Sequence, residues 1–326
     1  MAHLRFAVLT SGGDAPGMNA ALRGAVREAH ALGHVVMGVQ RGYYGLIQDE
    51  IHQLSNRDVS NILQRGGTFL RTSRCPEFAT VEGRVKAAET LRAHAVDALI
   101  VVGGNGSLTG AMALAEHWDG QLIGLPGTID NDLYGTDETI GYDTAVTTAL
   151  EAIDKIRDTA DSHERYFLVE VMGRDAGFIA LQVALGGGAE EVLVPEETPD
   201  FPAMLARLQK GKKAGKTSSI IVVAEGAYPG GAQAVAQELH KLGGDEYRVS
   251  VLGHIQRGGT PTARERLLAT RLGAHAVRAA IAGETGKMVG IIGSEMVLVP
   301  FADAVGKKKP LDPDLLALAR RLVGVS

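Results

Sequence analysis

The sequence predicts an α/β protein of two Rossmann-like domains, with mainly parallel sheets, helices on both faces and a ligand site in the cleft between them. Short β-branched runs alternate with helix-length amphipathic segments, the pattern of parallel strands joined by crossover helices. Glycine makes up 42 of 326 residues, about twice average usage. The glycines fall mostly between apolar runs and helical patterns, where α/β chains turn at the carboxyl ends of strands. The length, with 45% apolar and 22% charged residues, suits two domains that each bury a core.

Taken in order, Phe6 to Thr10, Val35 to Gln40, Ala98 to Val102 and Gln121 to Leu125 read as strands of a first sheet. The helices between them start near Pro16, Val81 and Ser107. A long helix follows from Tyr142 to Thr159, with the domain break near Gly141. Strands at Tyr166 to Val171, Val192 to Pro195, Ser219 to Glu225 and Arg248 to Leu252 form a second sheet. A helix from Ala263 to Ala282 and strand-like Lys287 to Ile292 and Met296 to Val299 return to the first domain. Lys307 to Lys309 reads as a solvated loop, and Asp312 before Pro313 as the cap of a last helix. The expected domains are residues 1–141 plus 259–306 and residues 142–258 plus 307–326.

Composition excludes several classes of function. Acids outnumber bases 38 to 33, a formal charge of −5 with pI near 6.1, so no overall basic field gathers nucleic acid or an anionic membrane. Aromatics are 5% of the chain, which leaves few stacking platforms for single strands. No stretch approaches the ~18 apolar residues of a membrane span. The single cysteine, Cys75, excludes an internal disulfide and a Cys-rich zinc cage, and fits a reducing, cytoplasmic setting.

Four groups of residues carry chemistry. Thr10-Ser11-Gly12-Gly13-Asp14-Ala15-Pro16-Gly17 follows a strand and opens a helix, so its backbone N–H groups can approach an anion at the helix N-terminus; an ordinary tight turn looks the same locally. Val101-Val102-Gly103-Gly104-Asn105-Gly106-Ser107 repeats that arrangement, and two such loops suggest an extended polyphosphate. By contrast, Gly211-Lys212-Lys213-Ala214-Gly215-Lys216-Thr217 is one residue short of a P-loop and precedes a strand, which rejects it as one.

The third group, Pro126-Gly127-Thr128-Ile129-Asp130-Asn131-Asp132, places two carboxylates at a strand's carboxyl end. There they can deprotonate a hydroxyl and help position magnesium, or simply form an Asx-rich turn. The fourth is a dispersed set: His163-Glu164-Arg165, Met172-Gly173-Arg174, Glu225, Arg248 and His254-Ile255-Gln256-Arg257-Gly258-Gly259. Each is expected near or just beyond a strand end, where side chains converge on a ligand. Arginine suits phosphate through its bidentate, permanently charged fork.

Together these segments resemble the ATP-dependent 6-phosphofructokinases of bacterial type over nearly the whole chain. LTSGGDAPGMNA from Leu9, RGGTFLRTSR from Arg65, PGTIDND from Pro126, VEVMGR from Val169 and VLGHIQRGG from Val251 stand in family order. The resemblance implies that Gly13, Arg74, Cys75, Gly104, Asn105, Gly106 and Ser107 hold ATP. It also implies that Asp130 is the base removing the proton from the 1-hydroxyl of fructose 6-phosphate. Thr128, Ile129, Asp130, Met172, Gly173, Arg174, Glu225, His254 and Arg257 would bind that sugar. Arg174 would help neutralise the transferring phosphoryl group, with Thr128 and Asp132 also in the catalytic set. Residues matching Arg165 and Arg248 reach the sugar phosphate of a neighbouring subunit in the family, which implies a homotetramer with shared sites.

Family members using pyrophosphate typically carry Asp at Gly106 and Lys at Gly127, so glycine at both leaves room for a nucleotide and favours ATP over the pyrophosphate alternative. One departure concerns magnesium. The family's GGDGS loop has become GGNGS, so Asn105 supplies a neutral oxygen, leaving Asp132 as the charged metal ligand. A catalytically weak regulatory paralogue is the other alternative that this departure raises. The resemblance also places an ADP or phosphoenolpyruvate effector site on Arg23, Arg27, Arg157, Glu190 and Lys216, with Asn56 and Ala214 standing where the family has cations.

Overall fold

The computed structural model describes residues 3–323. In chain order the elements are β1 (Arg5–Thr10), α1 (Met18–Ala31), β2 (Val35–Val39), α2 (Tyr43–Ile47), β3 (Ile51–Leu54), α3 (Val81–Ala93), β4 (Ala98–Gly103), α4 (Asn105–Leu114) and β5 (Gln121–Pro126). There follow α5 (Tyr142–His163), β6 (Tyr166–Val171), α6 (Phe178–Gly187), β7 (Glu191–Leu193), α7 (Phe201–Lys213), β8 (Ser219–Ala224), α8 (Gly231–Lys241) and β9 (Tyr247–Val251). The chain closes with α9 (Ala263–Ile281), β10 (Lys287–Ile292), β11 (Glu295–Pro300), α10 (Phe301–Gly306) and α11 (Pro313–Val323).

Two compact units result. The first takes the described residues up to Ile129, Leu133–Thr144 and Arg257–Lys309; the second takes Asp130–Asp132, Ala145–Gln256 and the described residues from Pro310. The division falls after Thr144, three residues from the expected break near Gly141, and Asp130–Asp132 count with the second unit. Residues 1–2 and 324–326 of the expected domain ranges lie outside the described residues.

Among the described residues the first unit has seven strands in the order β11-β10-β5-β4-β1-β2-β3, parallel except for the antiparallel edge pairs β2–β3 and β10–β11. β4 is buried at all six positions and β1 at all but Arg5, as expected of central strands covered on both faces. Against one face pack Leu9, Val101, Leu108, Phe78, Trp118 and Phe301.

Among the described residues the second unit has four parallel strands in the order β7-β8-β6-β9. β8 is fully buried, whereas edge strand β9 leaves Arg248 and Val251 exposed. The α/β class with mainly parallel sheets is thus borne out.

Local chemistry sets the element ends. Thr262 Oγ1 accepts from Glu265 N–H at 3.1 Å and Asp312 Oδ1 from Asp314 N–H at 2.8 Å, starting α9 and α11. Gly211, Lys212 and Lys213 form the last turn of α7, the carbonyl end, which repels phosphate. The lysines near 307 are more than a solvated loop. Lys307 pairs with Asp303 at 2.9 Å and stands over the Tyr134 ring, while Lys309 donates to the Asp137 carbonyl at 2.9 Å.

Candidate active site

In the first unit β1, β4 and β5 are parallel neighbours, so the loops that follow them leave one edge of the sheet side by side. The chain runs from β1 outward to β2 and β3, then returns to β4 on the other side of β1. That reversal is the switch point at which open α/β sheets bind ligands. Gly17, with φ of 106°, precedes α1, and extended Gly104 precedes α4. The Gly104 carbonyl accepts from Ser107 N–H at 3.0 Å and Leu108 N–H at 3.1 Å, so α4 closes from Asn105 rather than from Ser107. Asn105 and Gly106 therefore stand in the first helical turn, which favours an anion.

A residue missed in the sequence holds this loop. The Tyr43 hydroxyl donates to the Ser107 carbonyl at 2.6 Å, and its ring stacks on Phe78 at 3.9 Å. Burial pushes the Tyr43 phenol far above its ordinary range, so it remains a donor. Tyr43 lacks any motif spacing that would have marked it. Arg74 is exposed and Cys75 half-buried in the turn leading to Phe78, with Cys75 packed on the core.

The glycines of these loops have different reasons. Gly106 is exposed, and a Cβ there would meet nothing within 4 Å. At Gly127 it would lie 2.7 Å from Met18 Cε and 3.0 Å from the Gly103 amide. Room for a nucleotide is therefore not the reason for Gly127: its space belongs to the protein's own packing. Thr128 and Ile129 are buried beyond it, and the Thr128 carbonyl accepts from Thr139 Oγ1 at 2.6 Å.

In the second unit Asp130 is buried and its Oδ2 lies 3.3 Å from Arg174 Nε. Asn131 adopts φ of 54°, a left-handed conformation that turns the chain between the two carboxylates. Met172, Gly173 and Arg174 follow β6; Glu225 follows the adjacent β8 and accepts from the N–H groups of Gly173 at 3.2 Å and Arg174 at 2.7 Å. Buried Gln256, absent from the expected site residues, accepts from Met172 N–H at 2.9 Å through Oε1. Only its place inside the HIQRGG segment pointed toward it. His254 is exposed in the turn after β9.

Arg165 and Arg248, expected near strand ends, lie at the amino ends of their strands. Arg165 immediately precedes β6, and Arg248 is the second residue of β9, paired in register with Phe167. Both stand at the amino end; the six residues of β6 separate Arg165 from Met172, roughly 20 Å at ~3.3 Å per residue, and Arg248 is level with Phe167. They line a cavity of about 450 Å³ with Tyr166, Lys212, Lys216 and Asp245.

For magnesium, the available oxygens are those of Asn105 in the first unit and half-buried Asp132 in the second. Among the described residues no three His, Cys, Asp or Glu side chains gather into a metal site.

The sequence pattern of the family described as phosphofructokinase matches residues 5–280. The chain belongs to the phosphofructokinase family. Among its relatives, ATP-dependent 6-phosphofructokinase 1 of Thermus thermophilus is 57% identical over 318 residues, covering 98% of this chain and 99% of that protein. ATP-dependent 6-phosphofructokinase 2 of Bacteroides thetaiotaomicron is 51% identical over 316 residues, covering 97% of each. The phosphofructokinase structure from Saccharomyces cerevisiae matches with a TM-score of 0.89 at 36% identity, over 98% of this chain and 46% of that one. A pyrophosphate-dependent phosphofructokinase of Marinobacter aquaeolei matches with a TM-score of 0.82 at 22% identity, over 99% of this chain and 92% of that one, a likeness of fold alone.

Within this phosphofructokinase-family chain the candidate effector residues fall in two groups. In the second unit Glu190 lies 3.1 Å from Lys216 and 4.0 Å from Arg157, whose guanidinium also donates to the Gly187 and Gly188 carbonyls at 2.6 and 2.9 Å. In the first unit Arg23 and Arg27 lie one turn apart on α1; burial, then the charge of Arg27, hold Arg23 below its ordinary pKa. One turn further, His30 Nδ1 is 3.1 Å from Asn56 Oδ1. Ala214 is the C-cap of α7.

Proposed function

We propose that the chain transfers the γ-phosphoryl group of MgATP to the 1-hydroxyl of fructose 6-phosphate, giving fructose 1,6-bisphosphate and ADP. The observation that carries this reading is the buried Asp130 carboxylate at the carboxyl side of β5, ion-paired with Arg174. A buried carboxylate held by one cation accepts a hydroxyl proton without a large solvent rearrangement. Arg174 then stands beside the oxygen that becomes nucleophilic, and its permanent charge offsets that of the phosphoryl group in transfer. The first turns of α1 and α4, with Gly13, Arg74, Cys75, Gly104, Asn105, Gly106 and Ser107, hold the nucleotide phosphates. When bound, magnesium neutralises phosphate charge, with Asp132 and Asn105 as its protein oxygens.

Thr128, Ile129, Met172, Gly173, Glu225, His254 and Arg257 orient the sugar. Arg165 and Arg248, at the amino end of the second sheet, bind the 6-phosphate in a neighbouring copy, so the working form is a homotetramer with shared sites. ADP or phosphoenolpyruvate binds at Arg23, Arg27, Arg157, Glu190 and Lys216. The enzyme acts in the cytoplasm; among the described residues no helix is long and apolar enough to cross a membrane.

A coupled assay of purified protein with fructose 6-phosphate and either MgATP or pyrophosphate tests the reading. Turnover with MgATP and none with pyrophosphate is expected. Asp130→Ala should lower kcat by roughly 10² to 10⁴-fold, the range of general-base catalysis, with little change in thermal unfolding. Pyrophosphate-driven turnover, or a variant keeping more than about a tenth of the parental rate, would reject it.

A further inference from the structure

We propose that Glu225 and Gly226 form a clamp on the peptide backbone of Arg174 and so hold its guanidinium on Asp130. Glu225 is thereby a positioning residue for phosphoryl transfer. The proposal rests on the reading of Asp130 and Arg174 given above, and all four residues belong to the second unit.

Arg174 adopts φ of 51°, a left-handed conformation that is unfavourable for a side chain with a Cβ and persists where the surroundings over-determine it. Its surroundings do so from two sides. On one side Glu225 Oε1 accepts from Gly173 N–H at 3.2 Å and Arg174 N–H at 2.7 Å. Glu225 is itself fixed, because its own N–H donates to the Val171 carbonyl at 2.9 Å, continuing the β6–β8 ladder. On the other side the Arg174 carbonyl lies against Gly226. A Cβ there would collide with that oxygen and stand 3.0 Å from the carbonyl carbon, with Pro195 Cγ 3.4 Å away.

Beyond its backbone, the Arg174 side chain is 63% exposed. A long exposed arginine ordinarily samples many rotamers. With its N–H groups and carbonyl both held, the side chain starts from one fixed direction, and Nε reaches Asp130 Oδ2 at 3.3 Å. The carboxylate of Glu225 thus acts two residues removed from the reacting atoms, through the arginine. Glu225 Oε1 is the atom that holds the two N–H groups; the part this carboxylate plays in orienting the sugar would show in KM, and the part it plays through Arg174 in kcat.

The test is a mutant cycle on the full chain, with thermal unfolding confirming that each variant is folded. Glu225→Ala should lower kcat about ten- to a hundredfold, the range for losing a charge-assisted hydrogen bond, with less change in KM for fructose 6-phosphate. In an Arg174→Ala background the same substitution should change kcat less than about twofold, because both act through one guanidinium. Glu225→Gln, which keeps an accepting oxygen, should restore most of the rate. Gly226→Ala, which adds a methyl against the Arg174 carbonyl, with Pro195 Cγ only at ordinary contact distance, should lower kcat in the same direction. The clamp is overturned by equal losses from Glu225→Ala in the parental and Arg174→Ala backgrounds, or by a change in KM alone. Parental kcat in folded Gly226→Ala also overturns it. Asp130→Ala run alongside keeps the two levels apart: if it retains the parental rate, the reading of the base has failed, whatever the cycle shows.

Discussion

The guanidinium of Arg257 occupies the space that a side chain at residue 13 would need: a Cβ on Gly13 would lie 2.5 Å from Nη1, and the same nitrogen donates to the Asp14 carbonyl at 3.3 Å. An arginine is thereby placed at the glycine loop after β1, although 243 positions separate it from Asp14 in sequence. Its charge and the N-terminal end of α1 act on the same region.

Gly13→Ala is therefore expected to displace Arg257 and lower kcat/KM roughly tenfold or more, since misplacement by about 1 Å can cost up to a hundredfold. Gly106→Ala is the companion, because its methyl enters space empty to 4 Å. It should leave thermal unfolding unchanged while raising KM for ATP. Parental kinetics in both variants would mean that neither glycine faces a ligand.

Arg165→Ala and Arg248→Ala should each raise the half-saturating fructose 6-phosphate concentration about ten- to a hundredfold, with far less effect on ATP. Because the two arginines lie at the opposite strand end from Met172, they should serve a different copy's site. Hybrids of an Arg165 variant with an Asp130 variant should then recover activity. No recovery in hybrids verified by mass would show that each site is complete within one chain.

At Asn105 a negative charge is missing beside the expected metal position. Two unit charges at about 4 Å interact by about 4 kcal/mol at an effective dielectric near 20, before water offsets much of it. A net deficit of about 1 to 3 kcal/mol corresponds to roughly ten- to a few hundredfold in rate. Asn105→Asp should increase turnover or lower the magnesium requirement, read from rates across a magnesium titration. Superimposable curves would show that no metal is held there.

Glu265 gives the fold a pH dependence. It is fully buried, Oε2 accepts from the N–H and hydroxyl of Thr144 at 3.2 Å each, and Oε1 has no partner. Burial pushes its pKa from 4.5 to about 7, against the hydrogen bonds from Gly141 and Thr144, with the charge of Asp143 adding to the rise. The folded state thus holds the proton more tightly than the unfolded chain. Its contribution is fully present below the unfolded pKa and lost as pH rises through about 7, on the order of 3 kcal/mol in all. Denaturant midpoints should fall between pH 5 and pH 8, and Glu265→Gln should flatten that slope. An unchanged slope would assign the pH dependence to other groups.

Much of this molecule was written locally in the chain. β-Branched runs bounded by glycine located β1, β4, β5, β6 and β8, because a strand covered on both faces must be apolar throughout. The glycine loops after β1, β4 and β5 were legible for a related reason: a strand, a glycine turn and the segment that follows are contiguous in sequence, so they can be read in order. Short β3 and helices α2, α6, α7 and α8 lacked so clear a pattern. The α4 start moved because a backbone carbonyl at Gly104, invisible to residue type, closes the first turn.

What the tertiary structure decided are relationships between distant segments. Sheet order set β1 beside β4 and β6 beside both β8 and β9; the β6–β8 pairing puts Glu225 at the Arg174 N–H, and packing within the first unit puts Arg257 against Gly13 and Tyr43 on Ser107. Arg165 and Arg248 stand at the amino end because each lies at the start of its strand in sequence; parallel pairing of β6 with β9 is what brings those two starts side by side. Residue type told that these arginines suit phosphate; which phosphate they can reach depends on strand direction and neighbours. Those are fixed by the packing of whole sheets, in which each pairing is chosen by the burial of many side chains at once.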